Sequence, residues 1–208
     1  MKYNYIVIEG IIGSGKTTLA TMLAEEFNGR LILEKFADNP FLPKFYENPA
    51  QYSFPLEMSF LAERYQHIAN ELTGQDLFHN FTISDYHIIK SLIFAQNNLT
   101  TDEYKLFTTI YKIIFHQIPK PDLWIYLHVD PQKALKNIQK RGRSYEQNIT
   151  VEYLENIQKG YLNYLKQLTN QRILMINTDT IDFVSNSNDY LNIKHLISLD
   201  YDYGITLK

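Results

Sequence analysis

The chain has 208 residues with a formal net charge of −3, and 45% of it is apolar against 21% charged. That balance is globular, suits one α/β domain better than two, and argues against a nucleic-acid partner, which shows as a basic excess. The lack of cysteine excludes disulfides, thiolate metal sites and cysteine nucleophiles. No apolar run reaches the roughly 20 residues of a membrane helix, and no basic-then-apolar leader opens the chain, so it reads as cytoplasmic with no membrane partner.

Residues 3–9, YNYIVIE, read as a strand bounded by Gly10. From Lys16 the apolar positions Leu19, Met22, Leu23 and Phe27 share one helix face. Gly29 is placed to end that helix, and LILE (31–34) reads as a second buried strand. This is one βαβ unit. The prolines and asparagines of residues 37–49 predict a loop with at most short helical pieces. A helix follows over 53–72, with Leu56, Phe60, Leu61, Tyr65 and Ile68 on one side, and then a strand over 81–84 ending in Asp85. Residues 101–118 predict an amphipathic helix, and 123–129 a fourth strand. Asp130 and Pro131 open another helix as N-cap and first helical residue. That helix runs into KRGRSYEQ (140–147), with a further helix over about 151–168 and a fifth strand over 172–177. The polar tail beyond about residue 184 is given no role. Alternating strands and helices predict a single α/β domain: a five-stranded parallel sheet with helices on both faces.

Three of the eight glycines fall between positions 10 and 15. Gly10 to Thr17 fits G-x-x-x-x-G-K-[ST] in full, after a strand and at the start of a helix. Small residues such as Gly10, Gly13, Ser14 and Gly15 let backbone N–H groups approach phosphate, and the helix adds its positive end at Thr17 and Thr18. Lys16 would neutralise the β- and γ-phosphates, and the Thr17 hydroxyl would help to hold Mg2+. A glycine turn with a fortuitous lysine fits this context poorly, so the chain is expected to bind a nucleoside triphosphate. The loop does not name the acceptor. Absence of an N-K-x-D sequence lowers the GTPase reading.

The ordered motifs GIIGSGKTT, LEKFADNPFLPKFYENP, FPLEMSFLAER, KPDLWIYL and KRGRSYEQ resemble the deoxynucleoside kinases, over roughly residues 4–183. This implies the P-loop kinase fold with a lid segment, ATP with Mg2+, a deoxynucleoside acceptor and a homodimer. DNPFLPKFY is most similar to bacterial members acting on purine deoxynucleosides. Glu34 matches the general base, which a 5′-hydroxyl needs as it attacks phosphorus. Lys35 follows where the family commonly has proline. Tyr46 and Glu146 match the residues that hold the sugar 3′-hydroxyl, and Arg64 an arginine near base and sugar. Arg141 and Arg143 match the lid over the triphosphate, where planar guanidinium groups suit phosphate. Asp182 and Phe183 match a loop along the donor adenine, although a plain turn is the better reading of Asp182.

The resemblance breaks in two places. The third strand usually ends in an acid followed by an arginine, whereas this chain has Ser84, Asp85 and Tyr86. In either register the arginine is missing, and Asp85 is read as a magnesium-shell or phosphate-side carboxylate. Arg64, Lys90 or the lid could supply the missing charge. Glu57 stands where the family commonly has glutamine, and an ionised carboxylate only accepts hydrogen bonds. The expected activity is transfer of the ATP γ-phosphoryl group to a purine deoxynucleoside in nucleotide salvage. The alternatives are a nucleoside monophosphate kinase and a catalytically idle nucleotide-binding subunit.

Overall fold

The structure is a computed structural model that describes residues 2–35, 39–72 and 77–208. Residues 36–38, which fall in the LEKFADNPFLPKFYENP motif and the 37–49 loop, lie outside the described residues.

The first strand, β1 (Tyr5–Glu9), is buried along its whole length, and α1 (Lys16–Phe27) follows the phosphate-loop sequence directly. Asn28, not Gly29, ends that helix: its left-handed φ of 54° turns the chain, and its N–H donates to the Ala24 carbonyl. Gly29 instead begins β2 (Gly29–Ile32), where a Cβ would sit 2.6 Å from the Phe81 ring. The strand therefore lies two residues earlier than expected, and Glu34 stands in the loop beyond it.

A short helix, α2 (Leu42–Glu47), precedes α3 (Pro49–Leu72). The long helix starts earlier than read because Pro49 takes a first-turn position where no N–H is required. After β3 (Phe81–Ser84) comes α4 (Ile89–Asn98), a helix the sequence analysis did not anticipate. A capping box between Thr100 and Glu103 opens α5 (Thr101–Phe115). Beyond β4 (Leu123–His128), the Asp130 side chain accepts from the N–H groups of Gln132 and Lys133 and starts α6 (Pro131–Arg141), as expected. Gly142, at φ 74°, stops it, and a 3-10 turn over Ser144–Glu146 leads to α7 (Val151–Leu165) and β5 (Arg172–Asn177). The polar tail is not featureless. It forms α8 (Ser187–Ser198) and β6 (Gly204–Leu207), so the sheet has six strands rather than five.

The sheet order is β2-β3-β1-β4-β5-β6, and every neighbouring pair is parallel. Alternation along β1 sends Ile6 and Ile8 to one face, packed with Leu19 and Leu23 of α1 and Ile193 and Ile197 of α8. Tyr5 and Val7 point to the other, packed with Ile93, Ile138, Leu154 and Tyr161. Burial of both faces is what a parallel sheet requires. From β1 the chain turns first towards β2 and β3 and then towards β4 and β5, which opens a crevice at the carboxyl ends of the strands. The phosphate loop, Glu34, Asp85, Asp130 and the segment after residue 177 all follow strand ends on that edge. No helix among the described residues is long and apolar enough to cross a membrane.

Candidate active site

The phosphate loop is held against α6. A Cβ on Gly13 (φ 83°) would lie 2.5 Å from the Ala134 carbonyl oxygen, and Asn137 Nδ2 donates to the Gly13 carbonyl at 2.9 Å. Neither space nor backbone angle there admits another residue. Lys16 Nζ donates to the Gly10 and Ile11 carbonyls at 2.9 and 2.8 Å, which holds the ammonium across the mouth of its own loop. Burial, joined by repulsion from Lys90, lowers its pKa to about 8 against the pull of Glu9.

Two cavities meet at Lys16 and Thr17. The first is lined by Gly13 to Thr18, by Lys133, Lys140 and Arg141 of α6, and by residues 178–185. Lys133 Nζ donates to the carbonyls of Thr178, Asp179 and Ile181, and so fixes the 178–181 loop as a wall. Asp182 and Phe183 do stand in this cleft. The Asp182 carboxylate, however, accepts from the N–H groups of Val184 and Ser185, and the Phe183 ring is buried against Gly15. Asp182 is thus a turn former, and Phe183 packs beneath the loop.

The second cavity collects Glu34, Tyr46, Glu57, Arg64, Asp85, Arg141, Arg143 and Glu146, all of them singled out in the sequence. It also takes in Lys90, one of the candidates for the missing charge, and the polar side chains Asn98 and Tyr153, which the sequence did not single out. Glu34 is the centre of an ion triad. Arg64 Nε and Nη2 donate to its Oε1 at 2.9 and 2.7 Å, and Lys90 Nζ donates to its Oε2. Burial would push this carboxyl up, but the two cations override it and hold the pKa at about 2. Lys90 reaches the carboxylate from the first turn of α4.

Asp85 joins this triad to the phosphate loop. Its Oδ1 accepts from the Glu34 N–H at 2.8 Å, and its Oδ2 accepts from Thr17 Oγ1 at 2.5 Å. A hydroxyl and a carboxylate oxygen thus sit side by side at the loop, the hard donors that magnesium takes. Among the described residues there is no group of three or more His, Asp or Glu side chains that could form a full protein cage. A magnesium ion at this point would depend on phosphate and water for its remaining ligands, which is its usual habit.

At the lid, Glu146 accepts from Arg141 Nη2 at 2.5 Å and from Arg143 Nη1 at 3.3 Å. Tyr46 stacks on Tyr145, and burial followed by the charge of Glu146 pushes its phenol up, keeping it a donor. At the far end of the cavity Glu57 is 1% exposed. Asn98 Nδ2 donates to its Oε1 at 2.7 Å, while Oε2 has no hydrogen-bond partner among the described residues. Burial pushes this carboxyl up to about 7, against Arg64, Asn98 and Lys90.

Glu9 is a further buried carboxylate that the motifs do not single out. It lies fully buried at the end of β1, accepting from the His87 N–H at 2.7 Å and from Tyr161 Oη at 2.8 Å. Burial raises it to about 7, opposed by Lys90 and Lys16. An acid as the last residue of an otherwise apolar strand was the available signal.

The profile of the family described as deoxynucleoside kinase matches residues 6–199. The chain belongs to this family. The match reaches past the resemblance seen in the motifs and takes in α8. A deoxyguanosine kinase of Bacillus subtilis is 39% identical over 198 residues, covering 91% of this chain and 93% of the relative. A deoxyadenosine kinase of Lactobacillus acidophilus is 32% identical, covering 88% of this chain and 89% of its own. Among solved structures, deoxyadenosine kinase from M. mycoides with bound dATP superposes with a TM-score of 0.79 at 23% identity, covering 93% of this chain and all of that one. That likeness shows the fold.

Proposed function

We propose that this deoxynucleoside kinase transfers the γ-phosphoryl group of ATP to the 5′-hydroxyl of a purine deoxynucleoside, yielding the monophosphate and ADP for nucleotide salvage. The observation that carries the reading is the position of Glu34: a buried, ionised carboxylate where the phosphate-loop cleft opens into a second cavity lined by both charged and apolar side chains. A hydroxyl entering from that cavity meets the carboxylate on one side and the γ-phosphorus on the other.

The triphosphate would lie over the N–H groups of residues 13–18, with Lys16 leaving the loop carbonyls for phosphate oxygens. Thr17 and Asp85 would hold magnesium, which neutralises charge on the phosphates when bound. Arg141 and Arg143 reach the same junction from the lid and can exchange Glu146 for phosphate. As the anionic phosphates arrive, Lys90 and Arg64 divide their attraction between them and Glu34. The carboxylate becomes more basic when it must accept the 5′-hydroxyl proton. Tyr46 and Glu146 would hold the 3′-hydroxyl. Glu57 would face the base, and an ionised carboxylate there disfavours thymine, whose one ring N–H is flanked by two carbonyl oxygens. Two further parts of the reading are a cytoplasmic setting, which follows the sequence reading, and a homodimer, which the family resemblance implies.

The test is a radiolabelled-ATP assay against the four deoxynucleosides, their monophosphates and the ribonucleosides. Label should pass to the purine deoxynucleosides. Transfer to monophosphates alone would make the chain a nucleotide kinase, and transfer to none would leave it a binding subunit.

A further inference from the structure

Glu57 sits on α3 at the blind end of the acceptor cavity, among Phe45, Leu56, Phe60 and Phe94. Its two oxygens differ. Oε1 accepts from Asn98 Nδ2, which also lies 3.4 Å from Tyr153 Oη, whereas Oε2 is buried with no partner among the described residues. A buried oxygen without a partner is costly, so the ligand edge that enters this slot must satisfy it. What it asks of that edge depends on its proton. As a carboxylate it offers only acceptors, and as an acid it offers one donor and one acceptor side by side.

These two patterns fit different purines. Guanine presents its ring N1–H and exocyclic N2–H together, two donors for two carboxylate oxygens. Adenine presents a ring nitrogen that accepts beside an exocyclic N–H that donates, the complement of a carboxylic acid. A carboxylate would set one oxygen against the adenine ring nitrogen, and an acid facing guanine in the N1–H and N2–H register would set its O–H against one of those N–H groups. We propose that the proton on Glu57 selects the purine: the ionised side chain takes deoxyguanosine and the protonated one takes deoxyadenosine. This rests on the deoxynucleoside kinase reading and extends it to base choice.

The groups around Glu57 leave it as the variable one. Arg64 faces it from its own helix, Lys90 from α4, Glu34 from the loop after β2, Tyr46 from α2 and Tyr153 from α7. Glu34 is held ionised at about 2, and burial pushes both tyrosines well above their ordinary range. Burial raises Glu57 itself into the neutral range, at about 7. Glu9 and Lys16, which also shift towards neutrality, interact with each other beside the phosphate loop and are absent from the groups acting on Glu57, so their protonation acts alike on both substrates.

The ratio of kcat/KM for deoxyguanosine to that for deoxyadenosine therefore cancels their effects and reports the base end alone. Measured with ATP in the wild-type protein between about pH 6 and about pH 8, that ratio should rise with pH, by up to about tenfold per unit. Neither base titrates in this interval. In Glu57→Gln, whose amide donates and accepts at every pH, the ratio should be flat and shifted towards deoxyadenosine. A flat or falling ratio in the wild-type protein, with both nucleosides turned over, would overturn the inference. A ratio that still rose with pH in Glu57→Gln would overturn it as well, by placing the selecting proton elsewhere. Absence of transfer to any deoxynucleoside would strike the proposed reaction instead.

Discussion

Glu34 and Glu57 are both buried glutamates in one cavity, yet their surroundings set them oppositely. Glu34 meets a guanidinium and an ammonium and is held at about 2; Glu57 meets an amide and is pushed up to about 7. Desolvation acts on both in the same direction, so the difference comes from the partners within reach. The Glu34 end keeps a charge fixed across neutral pH, as the proposed proton acceptor requires. The Glu57 end keeps a charge that can change. In the proposed reaction, the placing of two cations would separate chemistry from recognition within one cavity.

The largest way to break this arrangement is to remove the charge at the phosphate end. Lys16→Ala should abolish measurable phosphoryl transfer, a loss of at least roughly 10³-fold in kcat, because developing charge on the phosphates loses its nearest cation. Deoxynucleoside binding, read by calorimetry, should persist. Wild-type turnover in this variant would remove the nucleotide reading altogether.

Next in size is Glu34→Gln. Loss of a positioned base should cost about 10²–10⁴-fold in kcat with little change in nucleoside affinity. Arg64 and Lys90 would then face a neutral amide in a buried site, so the Tm should fall too. Retention of more than about a tenth of kcat would show that Glu34 is not the base.

Glu57→Gln sharpens the comparison twice. An amide can donate to a thymine carbonyl, so the relative kcat/KM for thymidine should rise about ten- to a hundred-fold. Stability should respond in the opposite sense to Glu34. The Glu57 pKa is raised on folding, so its contribution is favourable at acid pH and is lost as pH rises from about 4.5 through about 7. Glu57→Gln should therefore gain stability relative to wild type at pH 8 by on the order of 3 kcal/mol, and not at pH 4. The Glu34 contribution is lost instead as pH falls from about 4.5 through about 2. Thermal melts across pH would check both signs.

The smallest effect should come from Arg143→Lys. Charge is kept but the planar fork is lost, so kcat should fall several-fold while KM changes less. A change confined to KM would give this arginine a part in uniform binding only.

Much of this was legible in the chain. The phosphate loop declares itself because its function needs small residues, a lysine and a hydroxyl at fixed spacing. Asp130 declared the start of α6 because N-capping is a local rule. Glu34, Tyr46, Arg64 and Glu146 were found through motif resemblance, and they converge in space although they lie far apart in sequence. What stayed hidden depended on packing. The first turn of α4 was obscured by the run SDYHIIK, so Lys90 remained one of three candidates for a missing charge. Its closeness to Glu34 is a property of the fold. The tail was given no role because Ser, Asn and Asp cluster at its start and mask the apolar positions Tyr190, Leu191, Ile193, Leu196 and Ile197 of α8, and β6 is four residues long. The demand Glu57 makes on a base was visible as residue type, but its protonation is a matter of burial, which no spacing encodes.

The central claim is that two glutamates of one cavity are tuned apart. It is tested most directly by titrating their side-chain carboxyl carbons by NMR in glutamate-labelled protein, with Glu34→Gln and Glu57→Gln used for assignment. The account predicts that Glu57 titrates near neutrality, about 7, and that Glu34 stays ionised down to about 2. Both carboxyls titrating together, near the ordinary glutamate value of about 4.3, would contradict it.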